Sequence, residues 1–164
     1  MPETDPARRL LRHPLGLIAL GFGTGLSPLA PGTAASLAAW AAWSLLVPAE
    51  PGLRLASLLG FGLLAWAAVR FALRRLSAAD PRAVVADEWL GMGSALVVAP
   101  PGLVGEGAAF ALYRLLDVLK PWPISRLERL PGAAGVIADD LAAGLAAGGA
   151  VAVFAAWLHG LQGG

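Results

Sequence analysis

The chain has 164 residues, of which 57% are hydrophobic and 14% charged, and its formal net charge is +1. So little charge lies outside the range of ordinary water-soluble domains, and the absence of any basic run longer than a pair argues against a nucleic-acid partner. There is no cysteine, which removes disulfides, thiolate zinc sites and cysteine nucleophiles and leaves oxygen and histidine as the metal ligands on offer.

In chain order, Arg8, Arg9 and Arg12 precede an apolar stretch much as in a secretory leader. Pro28 and Pro31 fall within a motif described below, so the segment is expected to be retained. No charge occurs from Leu15 to Val47. A helix crosses the hydrocarbon core with roughly 20 apolar residues, because about 1.5 Å of rise per residue must cover about 30 Å. Residues 15 to 47 are too many for one span and are broken by Pro28, Pro31 and Gly32. The expectation is a re-entrant or interfacial piece before the prolines, then a short spanning helix from about Thr33 to Val47.

Leu53 to Leu73 is predicted to span, with Arg54 and Arg70 near its ends and able to snorkel. Leu90 to Ala99 and Ala108 to Leu116 form a pair of short helices around the turn Pro100-Pro101-Gly102, packed inside the bundle rather than facing lipid. Leu141 to Leu158 is an uncharged last span. Gly60, Gly62, Gly144, Gly148 and Gly149 supply small faces for close helix approach. The predicted fold is therefore all-α, a single domain over residues 1–164 built as a small polytopic membrane helical bundle with a re-entrant or interfacial N-terminal segment.

Arginine and lysine set its orientation. Arg8, Arg9 and Arg12, then Arg74, Arg75 and Arg82, then Arg114, Lys120, Arg126 and Arg129 mark cytoplasmic regions, while 48–52 and 100–105 lack basic residues and read as external turns. The C-terminus is then expected outside. On this topology four polar groups of residues converge on the cytoplasmic side: the turn from Gly23 to Thr33, the pair Asp87-Glu88, the stretch Arg114 to Pro123, and the pair Asp139-Asp140.

Acids and cations gathered at a membrane surface are costly to desolvate unless a metal, a ligand or one another neutralises them. Taken singly, each has an ordinary explanation. Arg114 and Asp117 are at i,i+3 spacing and make an intrahelical pair with a snorkelling Lys120. Asp87-Glu88 and Asp139-Asp140 sit where helix N-terminal acids are favoured, and the glycine–proline turn reads as a re-entrant turn capped by Thr33. Together they suit phosphate beside a metal: carboxylates are the ligands magnesium prefers, and arginine and lysine grip phosphate oxygens. The turn offers backbone N–H groups and the hydroxyls of Thr24, Ser27, Thr33 and Ser36, without a Walker lysine. His13 and His159 are expected at opposite interfaces, too far apart for a shared site. Most of the six tryptophans read as lipid or interface anchors, with Trp122, between two prolines, placed to shape a site.

At these residues the sequence resembles the phosphatidylglycerophosphatase A family. The resemblance rests on Gly21-Phe22-Gly23-Thr24-Gly25-Leu26-Ser27-Pro28 with Pro31-Gly32-Thr33, on Asp87-Glu88 with Gly91-Met92, on Arg114 and Asp117 with Lys120-Pro121-Trp122-Pro123, and on Gly132 and Gly135 with Asp139-Asp140. These blocks run in the family's order from Leu20 to Gly144; Ala35 stands where the family pattern has glycine. The resemblance implies a magnesium-dependent phosphatase of the bacterial cytoplasmic (inner) membrane. Its substrate would be the membrane lipid phosphatidylglycerophosphate, giving phosphatidylglycerol and inorganic phosphate in phospholipid biosynthesis. It places magnesium on Asp87, Glu88, Asp139 and Asp140, with Asp117 the fifth catalytic acid, and phosphate on Thr24, Ser27, Thr33, Arg114 and Lys120. A carboxylate would attack phosphorus or serve as base for water. The rivals are a phosphatase for another lipid phosphate and a non-enzymatic small membrane transporter, which would want charge deeper in its spans.

Overall fold

Four helices in the first half of the chain begin at proline, for a local reason. Proline fixes φ near the helical value and lacks the N–H that a first turn leaves unpaired. In the computed structural model, which describes residues 6–76 and 82–162, these helices are α1 (Pro6–Leu10), α2 (Pro14–Ala19), α3 (Pro31–Leu46) and α4 (Pro51–Leu73). A 3₁₀ turn, Gly21–Leu26, separates α2 from α3. α5 (Ala86–Val98), α6 (Leu103–Leu119), the single turn α7 (Ile124–Leu127) and α8 (Ala133–Gln162) complete the order, and no strand occurs among the described residues. The chain's end, expected on the outer side, falls outside the described residues.

α5 is the axis of the bundle. Ten of its thirteen residues are buried, and α3, α4, α6 and α8 all pack on it. The close approach of α8 depends on glycine: a Cβ on Gly144 would collide with the Gly91 carbonyl and the Ser94 hydroxyl, and one on Gly91 would come within 2.6 Å of the Tyr113 hydroxyl. In a bilayer, where helices gain nothing by hiding apolar surface from lipid, such close packing is a main source of association. Of the five glycines expected to do this, Gly144 and Gly148 meet a neighbour's backbone, whereas Gly60 and Gly149 face open space.

α4, with 23 residues, and α8, with 30, are long and apolar enough to cross a membrane. Both turn exposed leucine or aromatic side chains outward, among them Leu59 and Leu63 on α4 and Phe154 and Trp157 on α8. The six residues of α2 rise only about 9 Å, so the N-terminal segment folds against α4 at one end of the bundle rather than crossing it. The architecture is that of a small helical membrane bundle.

Several expectations need correction. Arg54 does not snorkel. It is buried at the start of α4, donating to the Leu96 carbonyl at 3.0 Å and lying 3.6 Å from Glu106. Trp43 and Trp89 belong to the core, and Trp40 donates to Glu106 at 2.9 Å, so these three are not simple anchors. α5 is interior as expected, but α6 exposes Leu115, Val118 and Leu119. Thr33 is not the cap of α3: Ala30 holds that position in a left-handed conformation, φ 43°, with no side-chain cap. Nor do Asp139 and Asp140 begin a helix, because α8 starts six residues before Asp139. His13 caps α2 and stacks on Phe71 at 4.1 Å, while His159 lies in the last turn of α8.

Candidate functional site

At the end of the bundle where α3 and α5 begin and α6 stops, polar side chains line a cavity of about 750 Å³. Each is positioned by a local rule. Asp87 and Glu88 occupy the first turn of α5, where the helix macrodipole favours negative charge. Arg114 and Asp117 are one turn apart on α6 and pair at 2.6 Å. Lys120 closes α6 in the left-handed conformation, φ 43°, before Pro121 stops the helix. Asp139 and Asp140 are adjacent on α8 and so point about 100° apart. Asp140 accepts from the Tyr113 hydroxyl at 3.0 Å, and Asp139 accepts from Lys120 at 2.5 Å.

Carboxylate oxygens of Asp87, Glu88 and Asp140 lie within 4.8 Å of one another. Asp87 Oδ1, Glu88 Oε2 and Asp139 Oδ1 are buried with no hydrogen-bond partner. Around the cavity six carboxylates, including Asp117 and Glu128, face three cations, Arg82, Arg114 and Lys120. Buried anions without partners are expensive, and gathering several at one point is more so. Their oxygens are the donor set of a hard divalent cation.

The N-terminus of α3 forms another part of the lining, directly beside Glu88. Pro31, Gly32 and Thr33 line the cavity, and no side chain caps this helix. A helix start that borders the cavity and has no side-chain cap suits an anion. Gly32 leaves room there for the ends of two site side chains, since a Cβ would displace Glu88 Oε1 and lie 3.2 Å from Arg114 Nη2. Arg114 also donates to the Ser36 hydroxyl at 3.3 Å and keeps a buried Nε without a partner. Burial opposes the charge of Lys120, but the hydrogen bond and charge of Asp139, with Glu128 3.4 Å away, hold its ammonium above the ordinary lysine value.

Of the residues singled out in sequence, Asp87, Glu88, Asp117, Asp139, Asp140, Thr33, Arg114 and Lys120 all line this cavity. Thr24 and Ser27 do not. Thr24 donates to the Gly21 carbonyl at 2.7 Å, and the Ser27 hydroxyl donates to the Leu29 carbonyl at 2.8 Å. Trp122 is exposed beside Arg126 and is not among the lining residues. Among the four acids expected at a metal, Asp139 is set apart by Lys120.

Two contributors escaped sequence reasoning: Tyr113 is fully buried against Asp140, and Arg82, read there only as a mark of orientation, stands at the cavity wall. Ser36, expected to offer its hydroxyl to an anion, instead accepts from Arg114. Tyr113 lies one residue before Arg114 on α6, and its i,i+4 spacing from Asp117 could have drawn attention to it.

Residues 17–155 match the family model described as Phosphatidylglycerophosphatase A. Phosphatidylglycerophosphatase A of Escherichia coli is 35% identical over 90% of this chain and 87% of its own length. The Haemophilus influenzae protein of the same name is 35% identical over 94% of the chain and 96% of its own length. A Bacteroides thetaiotaomicron protein, named as a candidate phosphatidylinositol-3-phosphatase, is 38% identical over 79% of the chain and 86% of its own length. No solved structure matches the chain. With the family model spanning most of its length and relatives at this identity covered almost end to end, the chain belongs to the phosphatidylglycerophosphatase A family, a family of phosphatases.

Proposed function

We propose that this protein hydrolyses phosphatidylglycerophosphate to phosphatidylglycerol and inorganic phosphate with bound magnesium, as a multi-pass enzyme whose site opens on the cytoplasmic face of the bacterial inner membrane. The observation that carries the proposal is the cluster of Asp87, Glu88 and Asp140, whose oxygens converge within 4.8 Å and are left in part without partners, beside an arginine and a lysine. The substrate comes from the relatives' names. The orientation comes from the arginine-rich segments, which place the cavity end inside.

Asp87, Glu88 and Asp140 would hold the metal, with Asp139 offering its unpaired Oδ1 from the neighbouring face. When bound, magnesium neutralises phosphate charge and lowers the pKa of coordinated water. Arg114, held by Asp117 and Ser36, presents its remaining donors to phosphate oxygens. The start of α3 and Lys120 line the same cavity, so charge gathering on phosphorus oxygens would meet a helix N-terminus and an ammonium already in place. Tyr113 fixes the orientation of Asp140 by donating to Oδ2. Asp117 serves the site through Arg114, the group it orients.

The decisive experiment measures phosphate release from phosphatidylglycerophosphate in detergent, with and without magnesium, for wild type and Asp140→Asn. Magnesium-dependent turnover in wild type that disappears in the variant is the expected result. A folded wild-type protein with no such turnover would remove the assignment. The name of the Bacteroides relative gives one reason for a second arm, phosphate release from phosphatidylinositol 3-phosphate, which would mark a different lipid phosphate as the preferred substrate.

A further inference from the structure

The glycine-rich turn Gly21–Leu26 leaves its hydroxyls outside the phosphate cavity, yet it is held in a demanding conformation. Gly21, Phe22 and Gly23 all have positive φ, at 53°, 57° and 97°, and for phenylalanine that region is uncommon. What the turn delivers is an aromatic ring. Phe22 stands 54% exposed with its centroid 5.2 Å from that of Trp89, while Trp89 Nε1 reaches the Thr24 hydroxyl at 3.4 Å. A Cβ on Gly21 would fall 2.6 Å from that same indole nitrogen, so the turn is pressed directly onto Trp89.

Phe22 and Trp89 close the inner end of a second hollow. α3 and α4 both pack on α5 and hardly touch each other, although only a short connection joins them. Between them lies an apolar cleft of about 410 Å³, lined by Trp43, Leu46, Ser57, Phe61 and the two closing rings. Its volume falls within the roughly 300–1,000 Å³ of sites that hold a single small ligand. Leu46, one of its lining residues, is exposed on the outer surface of the bundle. The cavity and the cleft are neighbours in α5: Glu88 lines the first and Trp89 the second. α3 likewise runs from Thr33 in the cavity to Leu46 in the cleft, about 20 Å along its axis, comparable with the roughly 15 Å of one leaflet's half of the hydrocarbon core.

We propose that the cleft between α3 and α4 holds one acyl chain of the lipid whose phosphate occupies the cavity, with Phe22 and Trp89 forming the partition between headgroup and chain. The inference rests on the lipid-phosphatase reading. It commits to the substrate's own chain rather than bulk lipid because the cleft adjoins the cavity through consecutive residues of one helix and is closed at its inner end by a strained aromatic turn. Moving a chain from bilayer to cleft exchanges one apolar surface for another, so the gain is positional. A chain seated along α3 fixes where the phosphate lies relative to the carboxylates, and reactive geometry is sensitive to displacements of an ångström.

The test uses Ala42→Phe and Ser57→Phe, which fill the cleft from α3 and from α4 at positions outside the lining of the cavity. Wild type and both variants are assayed in detergent on phosphatidylglycerophosphate with two eighteen-carbon chains and with two six-carbon chains. A fall in kcat/KM on the order of tenfold for the long-chain lipid, with the short-chain lipid little affected, is the expected outcome. Equal losses on both lipids, or no loss on either, overturn the proposal.

A second readout does not depend on turnover: phosphatidylglycerol carrying a photoreactive group midway along one chain is irradiated with wild type in vesicles. Labelling concentrated on Trp43, Phe61 and Trp89 supports the cleft. Labelling spread evenly over Leu59, Leu63 and Val153 means bulk lipid only and overturns it. If wild type releases phosphate from neither lipid, the lipid-phosphatase reading fails, and the labelling still decides whether the cleft takes a chain.

Discussion

Buried polar networks occupy both ends of this bundle, and they are built on opposite terms. At the turn end, Arg54 donates to the Leu96 carbonyl and faces Glu106, whose other oxygen accepts from Trp40 at 2.9 Å and Ser44 at 2.8 Å. One cation meets one anion, and Arg54 Nε is the single atom of this group without a partner. At the cavity end, six carboxylates share three cations, and three carboxylate oxygens and Arg114 Nε have none. A closed network locks helices together, whereas an open one holds interaction capacity in reserve for something that binds. The difference separates a structural device from a site on physical grounds alone, although both were written with the same residue types.

The largest expected effect tests the open end. Asp140→Asn keeps the shape of the side chain and removes a charge, and turnover should fall by about 10²–10³-fold, the usual range for losing one group that stabilises transition-state charge. Its thermal midpoint without metal should hold or rise, because a repulsion among buried acids is relieved. A fall in stability matching the fall in activity would show the cluster to be structural.

The mirror-image substitution is Glu106→Ala. It leaves a buried arginine unpaired, and unfolding in detergent should become easier by about 3 kcal/mol, while the folded fraction keeps its activity. Restoring neutrality with Arg54→Met in the same chain should recover part of that loss, which a double-mutant cycle measures.

Magnesium sharpens the contrast further. At a hundredfold excess over its dissociation constant it should stabilise wild type by about 2.7 kcal/mol, and Glu106→Ala by the same increment, but Asp140→Asn far less. Equal shifts in all three, followed by thermal unfolding with and without chelator, would place the ion elsewhere.

Tyr113→Phe should show the smallest effect. Removing the hydroxyl that orients Asp140 costs about 1 kcal/mol of barrier, or roughly fivefold in rate. A positioning role predicts that the loss appears in kcat and is accompanied by weaker magnesium affinity, whereas a purely packing role would move the unfolding midpoint alone.

Much of this was legible from the chain itself. Apolar windows and prolines located the bodies of α3, α4, α5, α6 and α8, because a bilayer penalises unneutralised charge and unpaired backbone and so writes its constraints into composition. The residue types at the cavity end were legible for the same reason: acids and arginines near a membrane demand neutralisation, and their order along the chain resembles one family. Direction was not. Asp139 and Asp140 are indistinguishable as neighbours in sequence, and only the rotation of α8 against α5 and α6 sends one to Lys120 and the other to Tyr113. The hydroxyls of Thr24 and Ser27 turn to carbonyls of their own loop because positive-φ geometry aims the turn at Trp89, a contact 65 residues away in the chain. Arg54 finds Glu106 only once α4 and α6 are packed, since side-chain pairing depends on distance in space, which sequence spacing encodes only within a helix. Composition thus determined the medium, the helices and the chemistry in stock; tertiary packing decided which oxygens are left without partners, and therefore where a cation and a phosphate can bind.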